Sequence, residues 1–99
     1  MSDDTPDQLD LQHDESGSRY VLRSSGETVG LIEYRQDGDV LELLHTEVLP
    51  QGQGKGIGTV LVRQVLDEIR SHDRRIVPSC PFVARFIEEH PDYADLVAA

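Results

Sequence analysis

The sequence predicts an α+β domain in which a mixed, mainly antiparallel sheet carries one parallel strand-helix-strand unit and a C-terminal helix. Three observations predict it. Short runs of alternating apolar residues recur through the first half, separated by turn signals of which Asp37-Gly38 is the strongest. At Ile57 the apolar period lengthens from that of a strand to that of a helix. A second apolar run, RRIVPS, then follows the helix and precedes PFVARFIEEHP.

Each element follows in order. Residues 1 to 7 are polar and acidic and read as a disordered tail, which leaves 8 to 99 as a single domain. QLDLQH is a candidate edge strand, and RYVLRS and TVGLIEYR are strands joined by a tight turn at Ser24-Ser25-Gly26-Glu27. QDGD puts Asp37-Gly38 at the centre of a two-residue hairpin, where both central positions need positive φ, so residues 40 to 48 form the next antiparallel strand. From Ile57 to His72, Ile57, Leu61, Val65 and Ile69 lie four apart, Val62 and Leu66 widen the stripe, and Arg63, Gln64, Asp67, Glu68 and Arg70 stay polar. That is an amphipathic helix. RRIVPS is a short strand, and PFVARFIEEHP a second helix entered at Pro81 and stopped before Pro91, with a last turn over Tyr93 to Val97. A strand, a crossover helix and another strand make residues 40 to 48 and 75 to 79 a parallel pair. Their carboxyl ends then share one edge, which carries a glycine-rich loop, His45, Glu47 and Cys80, and that edge of an open sheet is where ligands bind.

Composition narrows the function classes. The chain has 99 residues, 37% of them apolar, enough for one core. Nine Lys plus Arg against nineteen Asp plus Glu give a formal charge of -10, which repels nucleic-acid phosphates and anionic membranes. The acidic start Met1-Ser2-Asp3-Asp4 lacks the basic and apolar regions of a signal peptide, so a soluble cytoplasmic protein is expected. One cysteine excludes an internal disulfide, and His13, His45, His72 and His90 show no zinc-ligand spacing, so no metal is expected. Lys55 is the only lysine and eleven acids are aspartates, which fits a salt-loving source and equally an ordinary acidic protein.

The stretch QGQGKGIG, residues 51 to 58, holds four glycines at the strand-to-helix junction. Glycines there let backbone N-H groups approach a ligand without interference from Cβ, and the helix start adds roughly half a positive charge, which suits a phosphate. Two phosphate motifs fail. Lys55 is followed by Gly56 rather than Ser or Thr, and neither Gly52-x-Gly54 nor Gly54-x-Gly56 reaches a third glycine at the dinucleotide spacing.

Gln53-Gly54-Lys55-Gly56-Ile57-Gly58 instead resembles the Q/R-x-x-G-x-G/A motif with which the GNAT acetyltransferase superfamily holds the pyrophosphate of coenzyme A. LHTEVLPQGQGKGIGTVLV and IVPSCPFVARFIEEHPDY extend the likeness, over roughly residues 17 to 97, to very small single-domain GNAT-like proteins with an H-T-x-V strand end, the glycine loop and a P-x-C segment before a helix. The resemblance implies the GNAT-like acyl-CoA N-acyltransferase fold and acetyl-CoA as substrate. It places the pyrophosphate on the backbone of Gln53, Gly54, Lys55, Gly56, Ile57 and Gly58, pantetheine along the strand edge at Val48 and its neighbours, and Cys80 near the acyl thioester. The implied activity is acetyl transfer to an unidentified amine, directly or via Cys80, by a monomer or weak dimer. The chain lacks the two helices that in larger relatives follow the first strand and shape the acceptor site, so the alternative is a module that binds CoA or acyl-CoA without turnover.

The residues themselves leave choices open. Cys80 stands just before a helix start, where the dipole favours a thiolate nucleophile, and a lone cysteine is equally a small buried hydrophobe. His45 and Glu47 alternate onto one side of their strand, as a base for an incoming amine or as a solvated structural pair. Arg85, Arg74 or Arg75 would meet a ribose phosphate, and the sequence does not choose among them. His90 and Tyr93 are expected to fix the C-terminal end.

Overall fold

The computed structural model describes residues 9 to 98, so the acidic segment 1 to 7 lies outside the described residues. Five strands form one sheet in the order β1-β2-β3-β4-β5, with β1 Leu9–Asp14, β2 Arg19–Ser24, β3 Glu27–Asp37, β4 Val40–Val48 and β5 Arg75–Pro78. The first four are antiparallel neighbours, and β4 and β5 are parallel, as the crossover through helix α1 (Ile57–Ser71) requires. Helix α2 (Pro81–Glu89) and a 3-10 turn, Pro91–Leu96, complete the chain.

Turn chemistry sets the meander. Ser25 and Gly26 between β2 and β3 have φ of 50° and 87°, the two positive values of a type I′ turn. The next hairpin differs from expectation. Asp37 pairs with Val40, so the central residues are Gly38 and Asp39, and only Gly38, at φ 65°, is positive. Glycine in the first central position is the type II′ pattern, which spares Asp39 the left-handed region.

Both helices cover one sheet face. Ile57, Leu61, Val62, Val65, Leu66 and Ile69 of α1 are buried, the full stripe that the helical period marked. They meet Tyr20, Leu22, Ile32, Tyr34, Leu41 and Leu43 from the sheet and Val83 and Phe86 from α2 in one core. The C-terminal turn is fastened to α1: the Tyr93 hydroxyl donates to Asp67 at 2.8 Å, and Arg70 pairs with Asp95 at 2.6 Å. His90 Nδ1 donates to the Phe86 carbonyl at 2.8 Å and stacks on its ring, so His90 and Tyr93 do fix this end.

Two features of β4 position the site. Against β3, Glu33 pairs with His45 and Tyr34 with Leu43, which leaves Leu44 as a bulge residue. Leu41 and Leu43 face the helices, and the bulge reverses the alternation beyond them. Thr46 and Val48 therefore continue the helix-side face, and His45 and Glu47 turn to the other. The second feature is that β5 ends early. Its register with β4 stops at Leu43 and Pro78, and the Cys80 N-H to the Leu43 carbonyl, 2.9 Å, is the last link across. From Leu44 to Val48, β4 has no strand partner on that side among the described residues.

Candidate functional site

The open stretch of β4 leads directly into the glycine loop, whose four glycines have three separate causes. Gly52 is a packing glycine: an added Cβ would lie 2.9 Å from the Val29 carbonyl oxygen. Gly54 and Gly56 have φ of 83° and 70°, with open space around any added Cβ, so they are there for backbone direction. Gly58 lies under the Phe82 ring, 2.8 Å from an added Cβ.

The loop's backbone gives the site its character. The N-H groups of Gly54, Lys55, Gly56, Ile57, Gly58 and Thr59 find no acceptor among the described residues, and helical bonding resumes only where the Val60 N-H reaches the Gly56 carbonyl, 3.2 Å away. Six successive N-H groups without a full-strength partner among the described residues thus lie at the positive end of a 15-residue helix whose first turn carries no acidic side chain. All of these residues but Lys55 border a groove of about 320 Å³, which Val48, Gln53 and Phe82 also wall. Gln53 Nε2 donates to the Val48 carbonyl at 3.2 Å, tying the loop to the free strand edge. Leu49 N-H bonds back to Val29 in β3, so by strand alternation Val48 directs its backbone groups away from β3.

Cys80 closes the other end. It is buried, 5% exposed, and its Sγ lies 3.3 Å from the Thr46 hydroxyl. Burial pushes the thiol up, but the Thr46 hydroxyl and the N-H groups of Val83, Phe82 and Thr46 together outweigh it and hold the pKa below the ordinary value of 9.0. No full-strength cap bond forms from the sulfur, so the two helix N-H groups act at longer range. Cys80 is therefore a buried side chain whose neighbouring donors favour its thiolate.

The remaining candidates divide. Val48, Gln53, Gly54, Gly56, Ile57 and Gly58 are brought together in the groove. Lys55 does not line the groove and instead lines a different depression with Ser24 and Glu27. Arg85 lies in a cavity next to the groove, whereas Arg74 and Arg75 stand at the far end of α1 where β5 begins. His45 Nε2 and Glu47 Oε1 are 3.7 Å apart, about half exposed, on the opposite sheet face from Cys80. Sequence reasoning missed Thr46. The alternation gave no clear signal, because Val40, Leu44 and Val48 are apolar at even positions beside Leu41 and Leu43 at odd ones, and the register with β3 decides. Among the described residues no three His, Cys, Asp or Glu cluster to hold a metal, and no helix is long and apolar enough to cross a membrane.

The donors at the glycine-rich strand-to-helix junction lie beside a strand edge that has no strand partner among the described residues. A family described as GCN5-related N-acetyl-transferase matches residues 19–96. The chain belongs to that family. Protein NATD1 of Bos taurus is 30% identical to this family member over 84 residues, covering 82% of the chain and 74% of that protein. A GCN5-like protein of Staphylococcus aureus has a solution structure that superposes with a TM-score of 0.68 at 24% identity, over 92% of this chain and 89% of that one. A GNAT family acetyltransferase of Brucella melitensis, determined in complex with acetyl-CoA, gives a TM-score of 0.51 at 26% identity, over 69% of this chain and 50% of that one. The fold is that of the GCN5-related acetyltransferases.

Proposed function

We propose that this chain binds acetyl-CoA and transfers its acetyl group to an amine. The observation that carries the reading is the row of six unpaired N-H groups from Gly54 to Thr59, a donor array with the charge and spacing for a pyrophosphate. Membership of the family and the acetyl-CoA complex of the Brucella melitensis relative support the same ligand. Pantetheine would then run along the free edge of β4 at Val48 and Thr46, which brings the thioester to the gap that β5 leaves open. There the amine nitrogen attacks the carbonyl carbon, the C-S bond breaks, CoA leaves as its thiolate, and the proton of the new ammonium passes to a base. His45, on the face of β4 opposite Cys80 and with Glu47 3.7 Å away, is the candidate base for that proton.

A second route has its own support. The donors around the Cys80 sulfur favour a thiolate, which would take the acetyl group first and pass it to the amine. Calorimetric titration of the protein with CoA and acetyl-CoA, followed by an acetyl-CoA consumption assay with a panel of amines, tests the proposal. Binding with turnover is expected. Binding without turnover on any amine would favour the non-catalytic acyl-CoA module, which the direct β1-to-β2 turn, with no helix between the strands, also fits. No binding of either ligand would end the acetyl-CoA reading.

A further inference from the structure

The two outer edges of the sheet are finished differently. Along β5 the chain covers its own edge: the Ala98 N-H donates to the Ile76 carbonyl at 2.8 Å, and Val97 bridges to Ile76. At the other edge, β1 has no strand on its outer side among the described residues. It also lacks the devices that keep an edge from pairing. Leu9–Asp14 contains no proline, lysine or arginine, and it pairs with β2 in unbroken register, with no bulge to twist it away. Leu9 and Leu11 pack only partly against the core and stay half-buried on the helix side, where His13 stacks on Tyr20 at 4.2 Å. Asp10, Gln12 and Asp14 alternate onto the open face, and Asp14 is already held by Arg19 and Ser16, each at 3.0 Å.

We infer that β1 is a self-association edge, on which a second copy of this chain lays its own β1 antiparallel and joins the two five-stranded sheets into one. In a closed two-fold pair of this kind, directly opposite residues share a face, so the register is fixed by the residue on the axis. Centred on Leu11, five residues of each strand pair: Leu11 with Leu11 and Leu9 with His13 on the helix side, and Asp10 with Gln12 on the open side. No like charges stand opposite, and Gln12 Nε2 already donates to Asp10 at 3.2 Å within one strand, so the two side chains match. Centred on Asp10, the register sets two carboxylates against each other; centred on Gln12, it sets Asp10 against Asp14 twice. Like charges directly opposite destabilise a cross-strand pair. Centres at the other strand positions leave three or fewer residues of each strand overlapping. Charge thus selects one register, and it is a register of β1 with itself, so the occupant is a second copy. Each copy carries a formal charge of -10, so the pair forms against a long-range repulsion that salt screens, and the dimer tightens with salt where a basic partner strand would loosen. The edge lies three strands from β4, so the inference stands apart from the acetyl-CoA reading.

The test is sedimentation velocity on the full chain from micromolar to millimolar concentration, at low and at molar salt, with wild type, Leu11→Lys, Gln12→Lys and Gln36→Lys. Wild type is expected to pass from monomer to dimer as concentration rises, and at lower concentration in molar salt. Leu11→Lys sets two ammonium groups opposite each other and should stay monomeric, with circular dichroism to show that it is folded. Gln12→Lys, on the open face, sets an ammonium opposite Asp10 of the partner subunit on both sides of the axis and should tighten the dimer by roughly 3- to 10-fold at low salt. Gln36→Lys makes the same change in net charge at the β3–β4 hairpin and should tighten it by less. If Leu11→Lys does not fold, the comparison of Gln12→Lys with Gln36→Lys decides. A wild type that stays monomeric throughout would overturn the inference and leave the edge to a strand of another protein. A dimer indifferent to a folded Leu11→Lys would overturn the assignment to β1, and one that Gln12→Lys weakens, or tightens no more than Gln36→Lys does, would overturn the register.

Discussion

Replacement of Gly56 by valine separates what the loop does for the fold from what it does for the ligand. Gly56 caps α1 in the left-handed region, at φ 70° and ψ 19°, and an added Cβ there meets no atom within 4 Å. The substitution thus creates no clash, and its cost is the conformational one, ~1–2 kcal/mol for an ordinary L-residue and toward the upper end for a β-branched one. A domain of this size holds ~5–15 kcal/mol, so Gly56→Val remains folded at 25 °C with a melting temperature lower by roughly 5–15 °C. The strained loop relaxes by rotating the neighbouring N-H groups. Each donor lost from a charged acceptor costs about 1.5–3 kcal/mol, which weakens CoA binding by roughly 10- to 100-fold. Gly56→Asn is the control, because asparagine tolerates the left-handed region and should restore most of the melting temperature. Thermal melts and calorimetric titration with CoA read both quantities. A folded Gly56→Val with wild-type CoA affinity would refute the pyrophosphate assignment, and a Gly56→Asn as unstable as Gly56→Val would refute the strain argument.

Three further outcomes are expected. If Cys80 relays the acetyl group, intact-mass analysis after incubation with acetyl-CoA shows one added acetyl on the PSCPF peptide, absent in Cys80→Ser; amine turnover by Cys80→Ser at the wild-type rate would establish direct transfer. Thr46→Val removes one donor from the sulfur and raises the thiol pKa, so alkylation of this sole cysteine at neutral pH slows; unchanged alkylation against pH would show that the hydroxyl is not a partner. Because the folded thiol lies below its ordinary value, its contribution to stability is present above that ordinary value and is lost as pH falls through the folded one, and Thr46→Val narrows that window. If the excess of acids reflects a salt-loving source, the melting temperature rises steeply from low to molar salt, and a flat profile leaves an ordinary acidic protein.

The strands, both helices and the parallel crossover were legible because each rests on local periodicity: the α1 stripe and the β4–β5 pairing follow from residue spacing and chain connectivity alone. The glycine loop was legible for the same reason. What was not legible depends on register between distant segments. The Leu44 bulge decides that Thr46 rather than His45 meets Cys80, and that pairing joins residues 34 positions apart. The Gly38-Asp39 turn is a smaller case, since a one-residue choice of hairpin register is settled by which pair, Asp37 with Val40, closes the ladder. The separation of Lys55 from the groove and the placement of Arg85 beside it likewise depend on how α1 and α2 pack.

The central claim is that the amides from Gly54 to Thr59 receive the pyrophosphate of acetyl-CoA, and amide-resolved NMR reads those groups one by one. Titration of the ¹⁵N-labelled protein with acetyl-CoA should move the N-H signals of Gly54, Gly56, Gly58 and Thr59 most, with Thr46 and Val48 following along the β4 edge. Saturable shifts that leave Gly54 to Thr59 unmoved, or the absence of any shift at millimolar acetyl-CoA, would contradict it.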